Sequence, residues 1–142
     1  MKNKNTDWLE HELSDARSVE SFLSENKTEL KNQTLSEHLE WLLTEKGLNK
    51  AEVIEKSGLD KVYAYHIFAG RKKSSRNRIL SLALAMELSP DETQHLLYYA
   101  GVEQLYVRNS WDSVIWYALE NKMSVVEVNL LLDKLGEDKL LQ

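Results

Sequence analysis

Apolar residues recur along this chain at the three- and four-residue spacing of amphipathic helices, and single glycines and polar capping residues interrupt them. Leu35, Leu39, Leu42 and Leu43 form one stripe, closed by Gly47. Asn49 caps a short helix in which Ala51 and Ile54 share a face, and Gly58 ends it where a left-handed residue is needed. Asp60 caps the next helix, where Ala64, Ile67 and Phe68 fall at i, i+3 and i+4 and point inward together. After Gly70, a stripe of Ile79, Leu82, Ala83 and Met86 predicts a fourth helix. Ser89, Pro90 and Glu92 form a capping box with proline at the first helical position, opening a fifth helix through Thr93, Leu96, Leu97 and Ala100 to Gly101.

Beyond Gly101, Trp111, Val114, Ile115, Ala118 and Leu119 make one stripe. Ser124 with Glu127 boxes the start of a last helix bearing Val128, Leu131, Leu132 and Leu135. Neither helix could bury its stripe alone, so both must pack on each other and on the bundle, the N-terminal arm or a second subunit. Ahead of the bundle, Trp8, Leu9 and Leu13, then Val19, Phe22 and Leu23, give two narrow stripes, with Ser18 as cap for the second. They predict an arm packed on the main domain or on a partner, with partial disorder as the alternative. The expected organisation is an all-α chain with an N-terminal helical arm over 1–34, a helical domain over 35–101 and a C-terminal helical extension over 102–142. There is no internal repeat and no low-complexity linker.

Two short helices joined by a tight glycine turn, as in the stretch from Asn49 to Gly70, form a helix-turn-helix. Lys50, Ile54, Gly58, Ala64 and Ile67 stand at the spacings of the Cro/C1-type repressors, and the stretch from Leu35 to Gly101 resembles the DNA-binding domain of that XRE family. Two positions depart from the family pattern together: Ile54 is large where alanine is usual, and Ala64 is small where isoleucine or valine is usual. These side chains pack against each other in the motif, so the exchange roughly conserves volume. The resemblance implies a five-helix lambda-repressor-like bundle that regulates transcription by binding a specific duplex DNA site.

The net charge of −5 argues against nucleic acid, so its distribution matters more than its sum. Residues 1–34 carry five basic and seven acidic side chains, residues 35–80 nine and six, and residues 81–142 four and ten. Positive charge is therefore concentrated in the segment with the motif, and acidic flanks would keep the remaining surface away from a polyanion. The absence of cysteine excludes a disulfide framework and a thiolate metal site. The N-terminus lacks an apolar signal core and no apolar run reaches membrane-spanning length, so a soluble cytoplasmic protein without membrane contact is expected.

By the resemblance, the helix from Lys61 to Ala69 is the recognition helix and lies in the major groove. Carried over residue by residue, the base-facing positions are Lys61, Val62 and His66, with Tyr65 beside them at the groove wall. Lys61 could donate to guanine O6 or N7, Val62 could touch a thymine methyl, and His66 could bond to a purine edge or a phosphate. Lys50 stands where the family contacts a phosphate. The segment from Arg71 to Arg78 has five basic residues in eight, and Arg71, Lys72, Lys73, Arg76 and Arg78 are expected at phosphates as well. Arg76 and Arg78 fall in the first turn of a helix, where a cation opposes the helix dipole unless an anion lies nearby. The bland alternative for these faces is a solvated helix and an ordinary charged loop. Ser74 and Ser75 replace the proline common in the family's loop.

Enzyme chemistry finds little support. His11, His38, His66 and His95 lie on different predicted elements without metal-binding spacing, no phosphate-cradling glycine loop occurs, and no nucleophile stands beside a base in a known local signature. No cofactor is implied. Tyr98, Tyr99, Tyr106, Trp111, Trp116 and Tyr117 form the densest aromatic group in sequence, and the off-stripe pair Trp116 and Tyr117 could mark a homodimer or protein-partner surface on the extension. Aromatics sealing the seam of the bundle are the blander alternative. The function expected is a DNA-binding transcriptional regulator acting as a dimer. Its rival is a protein-interaction adaptor that keeps the fold without binding DNA, favoured by the acidic total charge and the unusual Val62, Ala64 and Phe68.

Overall fold

Polar caps and left-handed glycines cut the chain where the hydrophobic pattern breaks. The computed structural model describes residues 34–141 and Val19; the expected helices built on Trp8 and on Phe22 lie outside the described residues. Seven helices follow in order: α1 (Leu35–Lys46), α2 (Lys50–Ser57), α3 (Lys61–Phe68), α4 (Arg76–Ala85), α5 (Pro90–Tyr99), α6 (Ser110–Glu120) and α7 (Val125–Lys134). No strand occurs among the described residues, and no helix there is long and apolar enough to cross a membrane. The caps expected at Asn49, Asp60, Ser89 and Ser124 are present, and Thr34 and Asn109 add two more. Asn49 Oδ1 accepts from the Glu52 N–H at 3.1 Å and Asp60 Oδ2 from the Tyr63 N–H at 3.0 Å. Thr34, Ser89 and Ser124 each close a capping box with the glutamate three residues on. Gly58 ends α2 at φ 73°, a left-handed conformation that other residues adopt only at a cost.

Helix α4 is the axis of the bundle. Every residue from Ile79 to Leu84 is buried, more than the single stripe expected, and α4 meets α2, α5, α6 and α7. A helix apolar nearly all round belongs at the centre of a fold, since no side of it can face water without loss. On α2 the inward residues are Val53, Ile54 and Ser57, and Ala51 is exposed. Ala51 shares a helical spacing with Ile54 but lies well round the helix from the centre of that stripe, so the expected pairing of Ala51 with Ile54 is corrected to Val53 with Ile54. Ile54 and Ala64, the two departures from the family pattern, are both buried in the one core, at 1% and 0% exposure.

The extension belongs to that core as well. Ile115, Ala118 and Leu119 of α6 and Val125, Val128 and Leu132 of α7 join the cluster formed by the first five helices. Residues 34–141 fall in one compact unit, and its core runs on past Gly101. The buried stripe of α7 begins a turn earlier than expected, at Val125, while Leu131 is half-buried and Leu135 is exposed because the last turn runs past the core.

After Gly136 the chain turns back on itself. Asn129 Oδ1 accepts from the N–H of Leu140 at 2.8 Å and of Leu141 at 3.3 Å, and its Nδ2 donates to the Leu141 carbonyl at 3.1 Å. Asn77 Nδ2 of α4 donates to the Leu140 carbonyl at 3.2 Å. Two side-chain amides thus satisfy the backbone of a segment with no helix of its own, which allows Leu140 to be buried.

Candidate nucleic-acid interface

Helix α3 has two unlike sides. Ala64, Ile67 and Phe68 are buried, whereas Lys61, Val62 and Tyr65 are exposed, Val62 at 63%. An exposed valine of that degree beside a lysine at the start of a helix is an apolar and cationic face offered to solvent. His66, in the last turn, is half-buried at the edge of this face. The helix ends in a Schellman arrangement: Gly70, at φ 76°, donates to the Ile67 carbonyl at 3.1 Å, and the Arg71 N–H donates to the His66 carbonyl at 2.9 Å. A Cβ on Gly70 would come within 3.3 Å of Ser36 Cβ, and Ser36 Oγ itself donates to the Phe68 carbonyl. These contacts fix the direction in which the basic segment leaves α3.

Tyr63 then organises that segment. Its ring carries Arg78 Cζ at 4.5 Å and Lys72 Nζ at 5.4 Å from the centroid, both within reach of a cation–π attraction. Its hydroxyl donates to the Lys73 carbonyl at 3.2 Å and accepts from Arg78 Nη1 at 3.3 Å. One tyrosine on α3 therefore holds cations from the loop and from α4 against the same helix. The sequence reading passed over Tyr63 because it falls beside the buried stripe and is not basic. The signal that could have found it is a large aromatic next to a buried position, with a five-cation segment a few residues on.

The remaining expected phosphate residues divide. Arg71, Lys72 and Lys73 are exposed, as is Arg78. Lys50 is half-buried, forms an ion pair with Glu40 and lies 5.5 Å from the Phe68 ring centroid, so any anion at this site would compete with a carboxylate. Arg76 is taken up inside the protein. Its Nη1 and Nη2 donate to Asp112 Oδ1 and Oδ2 at 3.0 and 2.7 Å, and its Nε and Nη2 to the carbonyls of Glu103 and Gln104 at 2.8 and 3.1 Å. Trp111 covers the guanidinium, with its ring centroid 5.8 Å away. The anion that relieves a cation in the first turn of α4 is thus the carboxylate of α6, and Arg76 leaves the phosphate set.

The aromatic group expected between Tyr98 and Tyr117 does not assemble. Tyr98 and Tyr99 meet edge to face at 5.6 Å, but Trp111 is spent on Arg76 and on the Asp138 carbonyl, Trp116 is half-buried against the core, and Tyr106 and Tyr117 are exposed without ring partners among the described residues. Nearness in sequence failed here because the six residues lie on two helices and the connection between them. The stacked rings are elsewhere: buried His38 lies 4.2 Å from Tyr99 and 5.6 Å from Trp41, centroid to centroid. Among the described residues, no three histidine, aspartate or glutamate side chains gather as a metal site would require.

No family model, no curated protein and no solved structure matches this chain.

Proposed function

We propose that this protein binds duplex DNA and regulates transcription, with α2 and α3 acting as a helix-turn-helix and α3 as the recognition helix in the major groove. The observation that carries the reading is the gathering of Lys72 and Arg78 on Tyr63, which sets a fixed group of cations beside the exposed face of α3. Cations at that distance from a helix suit the phosphates flanking the groove the helix would occupy. Lys61, Val62, Tyr65 and His66 are the residues assigned to the bases and the groove wall, and Arg71, Lys72, Lys73 and Arg78 those assigned to phosphates, with Lys50 available once Glu40 releases it. A single recognition helix reads few base pairs, so the protein acts as a homodimer on two half-sites about one helical turn apart. The extension supplies the pairing surface, and its exposed apolar side chains include Val126 and Leu130 of α7, one turn apart, with Tyr117 of α6.

Selection of bound sequences from random duplex DNA tests this directly. Recovery of a palindromic site supports both the reading and the dimer, and Lys61→Ala or His66→Ala should then relax the preference at one or two positions. A second reading, a protein-interaction adaptor, is favoured by the exposed Val62 and Tyr65, which lie one turn apart on α3. It predicts no enrichment of any sequence.

A further inference from the structure

The end of the chain lies against the turn between α2 and α3. Leu141 Cδ1 is 3.5 Å from where a Cβ on Gly58 would stand, and a groove of about 530 Å³ opens along this contact. The groove is lined by Asp60, Tyr63, Ser75 and Arg78 together with Lys139 and Leu141. Lys139 is exposed, but the residue after it is clamped by Asn77 and Asn129, so the base of its side chain is held in place. Among the neighbouring acids, Asp60 of the groove wall caps α3 through the Tyr63 N–H, Glu137 accepts from the Ser110 hydroxyl at 2.9 Å, and Asp138, next to Lys139, is exposed. Lys139 has no ion-pair partner among the described residues.

We propose that Lys139 and Arg78 together grip a phosphate of the DNA backbone at this groove, making the C-terminal tail part of the DNA-binding surface. The inference rests on the DNA-binding reading above and extends it to a residue that lies outside the helix-turn-helix. Two cations lining one open groove can donate to the two non-bridging oxygens of one phosphodiester. The groove also runs into the start of α3, because Asp60 in its wall is the residue before Lys61. A backbone phosphate held there would sit next to the base-reading end of the helix. The tail would then register α3 on the duplex, and its contribution is independent of sequence.

The test is the salt dependence of duplex binding by the full chain and by Lys139→Ala, Lys139→Glu and Arg71→Ala. Lys139 is exposed, so its substitution leaves the helical circular dichroism unchanged, which each sample should confirm. Loss of one phosphate contact lowers the slope of log affinity against log salt by about one unit, which narrows the affinity change between about 50 and 200 mM salt by roughly threefold. Lys139→Glu weakens binding further. A slope unchanged in both Lys139 variants, with Arg71→Ala lowering it, overturns the role of the tail and leaves the DNA-binding reading standing. Failure of the unaltered chain to bind duplex DNA overturns both.

Discussion

The guanidinium of Arg76 and the carboxylate of Asp112 meet in a two-point bond, at 3.0 and 2.7 Å, across 36 positions of the chain. The pair ties the first turn of α4 to the first turn of α6. Asp112 also accepts from the Tyr106 N–H at 2.8 Å, so one carboxylate fixes both helix starts and the connection before α6. Arg76 is one of five cations in the segment that a reading of charge alone would send to DNA, and its guanidinium is held by an internal partner instead.

Removing either partner leaves the other ion poorly paired. Arg76→Ala and Asp112→Asn should each cost about 2 to 3 kcal/mol of unfolding free energy, read by denaturant melts. Arg76→Ala should leave the salt slope of duplex binding unchanged, in contrast to Arg71→Ala. A lowered slope in Arg76→Ala would return this residue to the phosphate set.

On the proposed function, Tyr63 acts on binding through its neighbours. Tyr63→Phe keeps the ring under Arg78 and Lys72 but removes the hydroxyl from the Lys73 carbonyl, while Tyr63→Ala removes both contacts. Affinity for duplex DNA should fall modestly in the first and by roughly tenfold or more in the second, since each cation–π contact is worth about 0.5–2 kcal/mol. Equal affinity in Tyr63→Ala and the unaltered chain would show that the loop needs no anchor on α3.

The extension is structural before it is anything else. Truncation after Gly101 would strip Ile115, Leu119, Val128, Leu132 and Leu140 from the common core, and we expect the truncated chain to lose cooperative thermal unfolding. Leu140→Ala is the milder probe, with an expected cost of about 2–5 kcal/mol for a fully buried leucine. A truncated chain that melts cooperatively would mean that the first five helices close a core by themselves.

The parts of this fold that were legible in the sequence are the local ones. Asn49, Asp60, Ser89 and Ser124 cap where their spacing to the next polar or acidic residue says they should, because a cap and its partner lie within one turn. Gly58 and Gly70 mark turns for the same reason. The buried face of α3 was legible from Ala64, Ile67 and Phe68, and with it the exposure of Lys61, Val62 and Tyr65. The parts that were not legible depend on partners far along the chain. Asp112 claims Arg76 from the next helix but one, Asn129 and Asn77 clamp the tail at Leu140, and Tyr63 collects Lys72 and Arg78 from beyond α3. No periodicity in sequence encodes such contacts. The Val53 side of α2 was missed because the helix is only 8 residues long, too short for its apolar positions to define a stripe.

Acid should weaken the capping box that opens α5. Glu92 is partly buried, which raises its pKa, but the Ser89 backbone N–H and the Lys46 ammonium at 3.0 Å outweigh burial and hold the carboxyl below its ordinary value. A depressed folded value means that the stabilisation is present above the unfolded pKa and is lost as the pH falls through the folded one. Glu92→Gln should therefore lower the melting temperature at neutral pH and bring the two proteins together as the solution is acidified below the carboxylate range. A constant difference in melting temperature across that range would show that the charge of Glu92 contributes nothing.

The central claim is that the cations around α3 face a polyanion, and the affinity of the full chain for duplex DNA, measured over a range of salt concentrations, tests it most directly. Four phosphate contacts per copy, from Arg71, Lys72, Lys73 and Arg78, predict a slope of log affinity against log salt of about −3 to −4, and a larger one if two copies bind together. A slope near zero, or no measurable binding at low salt, would contradict the account.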